Sequence, residues 1–179
     1  IIFIFISIFW FLLVGIGIPF AIFAGLVYGK FIGTILFLFI VSISTLLFYS
    51  IVEFFFQDLV KRKFLQKYSN IGEMLKKNEL IYLILFQLIE GIPFMIASAL
   101  PVLFNVKKSN IFFASFIGLS PSIFIHVSIG SGLNSLLDKS IDTNNIMYLL
   151  TSTEIYLPIA GLIFLTFISL LIRNRFFKK

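Results

Sequence analysis

The sequence predicts an all-α polytopic membrane protein: a helical bundle with two oppositely oriented re-entrant hairpins, an inverted repeat, and an interfacial amphipathic helix. Three observations point there. Of 179 residues, 60% are hydrophobic, 25 are Phe and only 12% are charged, with a mean hydropathy of +1.11, more apolar surface than one soluble core hides. The tetrapeptide Gly-Ile-Pro-Phe occurs twice, at 17–20 and 91–94, each time inside an apolar run where a membrane tolerates broken backbone least. The basic residues gather in short runs between apolar segments, as in cytoplasmic loops.

Residues 1–179 read as a single membrane domain. Residues 1–28 are apolar around a Gly15-Ile16-Gly17-Ile18-Pro19 break and form a candidate first hairpin entering from the external side. The alternative is a plain crossing from the cytoplasm, and Lys30 alone does not separate the two. Residues 31–56 hold one charge, Glu53, and as a helix would be about 39 Å long, enough to cross a hydrocarbon core of about 30 Å. In 57–79, Lys61, Arg62, Lys63, Lys67, Lys76 and Lys77 interleave with Val60, Phe64, Tyr68, Ile71 and Leu75. That spacing predicts an amphipathic helix on the cytoplasmic membrane surface, or else a solvated linker helix. Residues 80–104 carry only Glu90 and are broken by Pro93 and Pro101; 109–130 carry no Lys, Arg, Asp or Glu and predict a transmembrane helix. A polar external loop at 131–154 and a last transmembrane helix at 155–172 complete the chain. Gly130-Ser131-Gly132 reads as a helix C-terminal turn. With Ile first and no basic segment leading to a small-residue cleavage site, the chain is expected to begin inside a longer protein, its N-terminus truncated.

Charge parity decides how 80–104 sits. The basic groups at 57–79, at Lys107 and Lys108, and at Arg173, Arg175, Lys178 and Lys179 should all be cytoplasmic. A full crossing by 80–104 would put Lys107 and Lys108 outside and invert everything after them. If it enters and returns on one side, every basic cluster and the C-terminus are cytoplasmic and the acidic loop is outside. So 80–104 is expected to be the second re-entrant hairpin, turning near Gly91, Pro93 and Ser98, and 1–28 its inverted counterpart.

Intramembrane ionisable groups mark pathways or partners, because each is costly there. Glu90, directly before the second break, is the leading candidate; the alternative is a protonated carboxyl bonded to backbone. Gln87, Pro93, Ser98 and Asn105 join it as candidate pathway residues, with His126 and Glu53. His126 is the single histidine, suited to proton transfer or to plain packing, and Glu53 sits near enough to the cytoplasmic end to reach the interface. Ala21, Gly25, Gly29 and Gly33 recur every four residues, a small-residue face on which another helix can approach closely. Gly17, Gly91, Gly118 and Pro121 complete the expected hairpin and packing set. There is no Cys, no His cluster and no paired nucleophile and base, so neither an enzyme, a metal site nor a cofactor is expected. Gly15-Ile16-Gly17 is no dinucleotide fingerprint, and the basic distribution speaks against nucleic acid as a partner.

Pro19, Ala21, Gly25, Gly29, Gly33, Asp58-Leu59-Val60, Gly91-Ile92-Pro93-Phe94, Asn105-Val106, Phe113, Gly118, Pro121 and Gly130 together resemble the VTT-domain membrane proteins, also called the SNARE-associated or DedA-like family. The resemblance runs from about Gly15 to Gly132 and is most specific from Gln87 onward. It implies two opposed re-entrant hairpins meeting near the midplane and a role in lipid transport: bacterial members are similar to lipid-carrier flippases, eukaryotic relatives to phospholipid scramblases. It further implies a cell membrane location (a bacterial inner membrane), membrane lipids as partners, and room for a homo-oligomer. Many members carry Arg where this chain has Gln87 and Pro where it has Glu90; their late arginines in the first long span correspond to Glu53 and Gln57. Either activity is altered here, or His126 or the Lys107/Lys108 turn substitutes. Three functions therefore stay open: a lipid scramblase or flippase-like transporter, a proton- or ion-coupled carrier of a small solute using Glu90 and His126, and a non-transporting scaffold.

Overall fold

A computed structural model describes residues 1–64, 69–89, 91–138 and 153–177, and among them every regular element is helical. The order is α1 (Ile2–Leu13), α2 (Ile18–Tyr28), α3 (Lys30–Phe64), α4 (Ser69–Lys77), α5 (Glu79–Gln87), α6 (Phe94–Ala99) running into a 3-10 turn (Leu100–Phe104), α7 (Lys108–Gly118), α8 (Ser120–Asp138), α9 (Thr153–Ile172) and a π-helical turn (Arg173–Phe177). By length and composition α3 and α9 are apolar enough to cross a membrane, and the bent pair α7–α8 would make a third span.

The first break follows from its residues. Gly15 takes φ +75°, which ends α1, and Pro19 falls in the first turn of α2, where its missing N–H costs no helical bond. The chain then doubles back. The Phe3 ring, near the start of α1, lies 5.8 Å from Tyr28 at the end of α2, while Trp10 lies 5.6 Å from Phe20 beside the break. The Trp10 indole N–H donates to the Ile16 carbonyl (2.8 Å) and satisfies one acceptor that the turn leaves open. Gly29 (φ +74°) makes the corner into α3.

The second short pair has the same antiparallel course. Asn78 caps α5 by accepting from the Ile81 N–H (3.1 Å), Gly91 adopts φ +87°, and α6 starts directly after Pro93. The return arm closes at Asn105, whose left-handed φ of 52° suits Asn. There Glu79 of α5 accepts from the Lys107 backbone N–H (2.8 Å) and the Asn110 amide (2.7 Å), so the arms begin and end together.

Each pair leans on the other half of the chain. Helix α2 packs chiefly on α8, whereas α6 and its 3-10 turn pack on α3. One core joins Phe11, Ala21, Ala24, Phe37, Val41, Ile123 and Val127; a second joins Tyr49, Val52, Leu75, Leu83, Val102, Val106 and Ile111. The α2–α8 contact is backbone-close: a Cβ on Gly25 would collide with the Val127 carbonyl oxygen, and one on Gly130 with that of Ile22.

Several expectations are corrected. Residues 109–130 are not one straight helix: α7 and α8 meet at 47° around Leu119. Pro121 is the cause, since it cannot donate to the Ile117 carbonyl four residues back, and the Ser120 hydroxyl donates there instead (2.7 Å). Gly130-Ser131-Gly132 does not end a helix, because α8 runs on to Asp138 with Gly130 held against α2. The polar loop expected at 131–154 therefore starts later; 139–152 lie outside the described residues. The amphipathic segment 57–79 is divided between the end of α3 and α4, and Leu75 of its apolar stripe is buried in the protein core rather than facing lipid. Gly29 leaves the small-residue ladder, as nothing lies within 4 Å of its would-be Cβ and the residue serves the turn.

Candidate functional site

The two Gly-Ile-Pro-Phe breaks meet. The Phe94 ring, on the first residue of α6, lies tilted 5.0 Å from Phe11 of α1 and edge-on 5.9 Å from Phe48 of α3, and its Cβ lies 3.2 Å from where a Cβ on Gly15 would stand. Beside this contact is a cavity of about 410 Å³, lined from the first break by Gly15, Gly17 and Ile18 and from the second by Gly91, Ile92 and Phe94. Helices α3, α5, α8 and α9 complete its wall through Phe37, Gln87, His126 and Leu165, among others. Gly17 leaves room for the Phe11 ring, which would clash with any side chain there.

The polar groups of this cavity are few and held in place. Gln87 donates its amide to the Ser115 hydroxyl of α7 (3.2 Å), which leaves Oε1 to accept, and α7 can approach because Gly118 sits 2.7 Å, as a would-be Cβ, from the Gln87 Cβ. His126 Nδ1 lies 2.7 Å from the Ser122 carbonyl oxygen one turn earlier. A carbonyl only accepts, so Nδ1 carries the proton and Nε2 is the acceptor of the neutral ring. Neither serine figured among the sequence candidates; Ser122 was legible as the i−4 partner of His126, whereas Ser115 required knowing that α5 lies on α7.

The remaining sequence candidates are dispersed. Pro93 caps α6 between the lining residues Ile92 and Phe94. Ser98 is buried in α6, its hydroxyl without a partner among the described residues. Glu90, the leading candidate, lies outside the described residues. Glu53 and Asn105 are not brought to the cavity; they belong to a polar cluster at the end of the bundle where the second pair begins and ends. Glu53 Oε2 pairs with Lys108 Nζ (2.9 Å), Asn105 Oδ1 accepts from Gln57 Nε2 (2.7 Å) and Lys61 Nζ (3.2 Å), and the Tyr49 hydroxyl donates to the Val106 carbonyl (3.0 Å). Tyr49, Glu53, Gln57 and Lys61 recur every four residues, so one face of α3 grips the 105–108 turn while Glu79 holds it from α5. Gly33 faces both Ala24 of α2 and Val127 of α8, and Pro121 stands in the first turn of α8.

Another pocket, about 300 Å³, lies toward the far end of α3 between α8 and α9 and contains Lys30, Ser128 and Thr153. Among the described residues no group of three His, Cys, Asp or Glu side chains could hold a metal ion. In comparisons with known proteins, the model of the VTT domain matches residues 15–132, a stretch that contains both breaks and ends six residues past His126. No curated protein and no solved structure gives a significant match.

Proposed function

Because the chain belongs to the VTT domain family, with well over half its length matched, we propose that it is a lipid scramblase or flippase-like transporter whose path is the cavity between the two breaks. One observation carries this reading: broken backbone from both halves lines the same space, and backbone of that kind is tolerated at membrane depth only inside protein or a wet cavity. The reciprocal packing of α2 on α8 and of α6 on α3 is what an inverted repeat would give, with α1–α2 and α5–α6 as re-entrant hairpins entering from opposite faces. In this arrangement the protein sits in a cell membrane, a bacterial inner membrane, with the basic end near Lys61, Lys107 and Lys108 and the C-terminus in the cytoplasm. Gln87 and His126 are the residues proposed to meet the headgroup, and membrane lipids are the partners.

Two measurements test it. In vesicles containing acyl-labelled lipid, the protein should accelerate exchange between leaflets; exchange no faster than in empty vesicles sinks the transport reading. The absence of native Cys permits single-cysteine mapping. Asn78→Cys and Lys107→Cys should label from the same side of the membrane, and labelling from opposite sides would make 80–104 a crossing. His126 on the cavity wall keeps a proton-coupled carrier as the second reading, and a pH-jump flux that survives both Glu90→Gln and His126→Phe would eliminate it.

A further inference from the structure

The described lining of the cavity carries no charged side chain, which bears on its ligand. Its described lining holds three polar side chains, Gln87, Ser122 and His126, and no Lys, Arg, Asp or Glu. The sequence makes this firmer. Across the segments that line it, 11–41, 86–97, 118–126 and 162–165, the single basic residue is Lys30, which faces the other pocket, and the single acidic one is Glu90. A phosphate entering here would lose its water and meet no fixed cation, and an uncompensated buried ion carries a penalty of several kcal/mol. What the wall does offer are acceptors: His126 Nε2, fixed because Nδ1 is tied to the Ser122 carbonyl, and Gln87 Oε1, fixed because its amide donates to Ser115. Acceptors on an apolar wall match a ligand that brings hydroxyl donors and no charge. The volume, about 410 Å³, falls within the range of about 300–1,000 Å³ usual for small-molecule sites.

We propose that the cavity recognises an uncharged, hydroxyl-bearing lipid headgroup, such as a sugar on diacylglycerol, with His126 Nε2 as the principal acceptor and Gln87 Oε1 as the second, and that it discriminates against phosphate. The inference rests on the transport reading above and gives it a substrate class. A lipid is favoured over a free polyol because the rest of the wall is aliphatic and aromatic, with Phe11, Ile18, Phe37, Ile92 and Leu165 among its members.

The test uses the full chain reconstituted in phosphatidylcholine vesicles at pH 8, above the ordinary range of imidazole titration. Two probes labelled on the acyl chain are compared, a monoglucosyl diacylglycerol and a phosphatidic acid, each corrected for its protein-free rate. The glucosyl lipid should exchange at least about tenfold faster than the phosphate lipid, the equivalent of about 1.4 kcal/mol. His126→Phe should remove that preference, His126→Gln, which keeps a polar tip near the Nε2 position, should retain most of it, and Gln87→Arg should raise phosphate exchange. Trp10 emission checks that each variant is folded. Phosphate exchange equal to or faster than glucosyl exchange overturns the headgroup assignment and leaves the transport reading standing. Exchange of neither probe overturns both, and protein-dependent release of trapped free glucose overturns the choice of a lipid.

Discussion

Replacing Gly25 and Gly130 by Ala, singly and together, tests how the two halves are joined. Each added methyl would strike a carbonyl oxygen on the opposite helix, Val127 from α2 and Ile22 from α8, so α2 and α8 must separate before either is accommodated. Overpacking of this kind costs about 1–3 kcal/mol, and a gap of about 0.5–1 Å forfeits a quarter to a half of the dispersion attraction along the seam. Alanine returns about 1 kcal/mol through its better helix propensity. With a separation cost of about 2.5 kcal/mol, each single variant should lose about 1.5 kcal/mol. The two glycines lie within one turn of each other on the same seam, so one separation serves both. The double variant should then bear the separation cost once and the propensity gain twice, a net loss of about 0.5 kcal/mol where additivity would give about 3.

Sodium dodecyl sulfate titration from mild micelles, followed by emission of Trp10, the one tryptophan, reads these differences. Gly29→Ala supplies the control. Its φ of +74° with ψ of 175° lies in a region open almost to glycine alone, so the cost is a backbone strain of about 1–3 kcal/mol with no neighbour to displace, and it should add to Gly25→Ala in full. Equal additivity in both doubles would refute a shared α2–α8 seam.

Other substitutions address the grip on the second pair. Glu79→Ala strands the Lys107 N–H and the Asn110 amide and should cost about 1–3 kcal/mol in the same titration, whereas Glu79→Gln keeps an acceptor oxygen and should cost less. Asn105→Val should lose about 1–2 kcal/mol to the left-handed backbone at φ 52° beyond what Asn105→Gly loses, since Gly gives up only the contacts to Gln57 and Lys61. Lys108→Gln should change stability by less than about 1 kcal/mol, because its partner pair is 56% and 30% exposed, and the small effect should shrink further at high salt.

The backbone breaks were legible because they are backbone chemistry: Gly15 and Gly91 at positive φ, with Pro19 and Pro93 just beyond them, stop helices whatever surrounds them. Pro121 carries the same signal and belongs to the expected hairpin and packing set, yet a run without charges predicts one span over 109–130, and the bend shows only in the structure. The error at Gly130-Ser131-Gly132 has the opposite origin. In an apolar bundle glycine serves close approach as often as termination, and only knowing that α2 lies across α8 tells which. Leu75 shows a third limit, as periodicity says that one face of a helix is apolar and not whether lipid or protein covers it.

The candidate site divided along similar lines. Gln87 and His126 were singled out as costly polar groups in apolar segments, and both stand on the cavity wall. Glu53 and Asn105 share that ground, yet Glu53 belongs to the ladder Tyr49, Glu53, Gln57 and Lys61, and Asn105 to the turn that this ladder clamps at the exit of the second pair. The fourfold spacing of that ladder was present in the sequence but lacked a partner until the 105–108 turn was placed against it. Charge at one end of the bundle thus holds the chain together, and the described lining of the space between the breaks is left to neutral groups. Two perturbations should therefore cross. Weakening the clamp through Glu79 or Asn105 should lower stability and leave the preference between glucosyl and phosphate lipids unchanged, whereas Gln87→Arg should shift the preference with little effect on the clamp. If clamp variants changed the preference, the two sets of residues would form one coupled site, and the separation of holding from lining would be wrong.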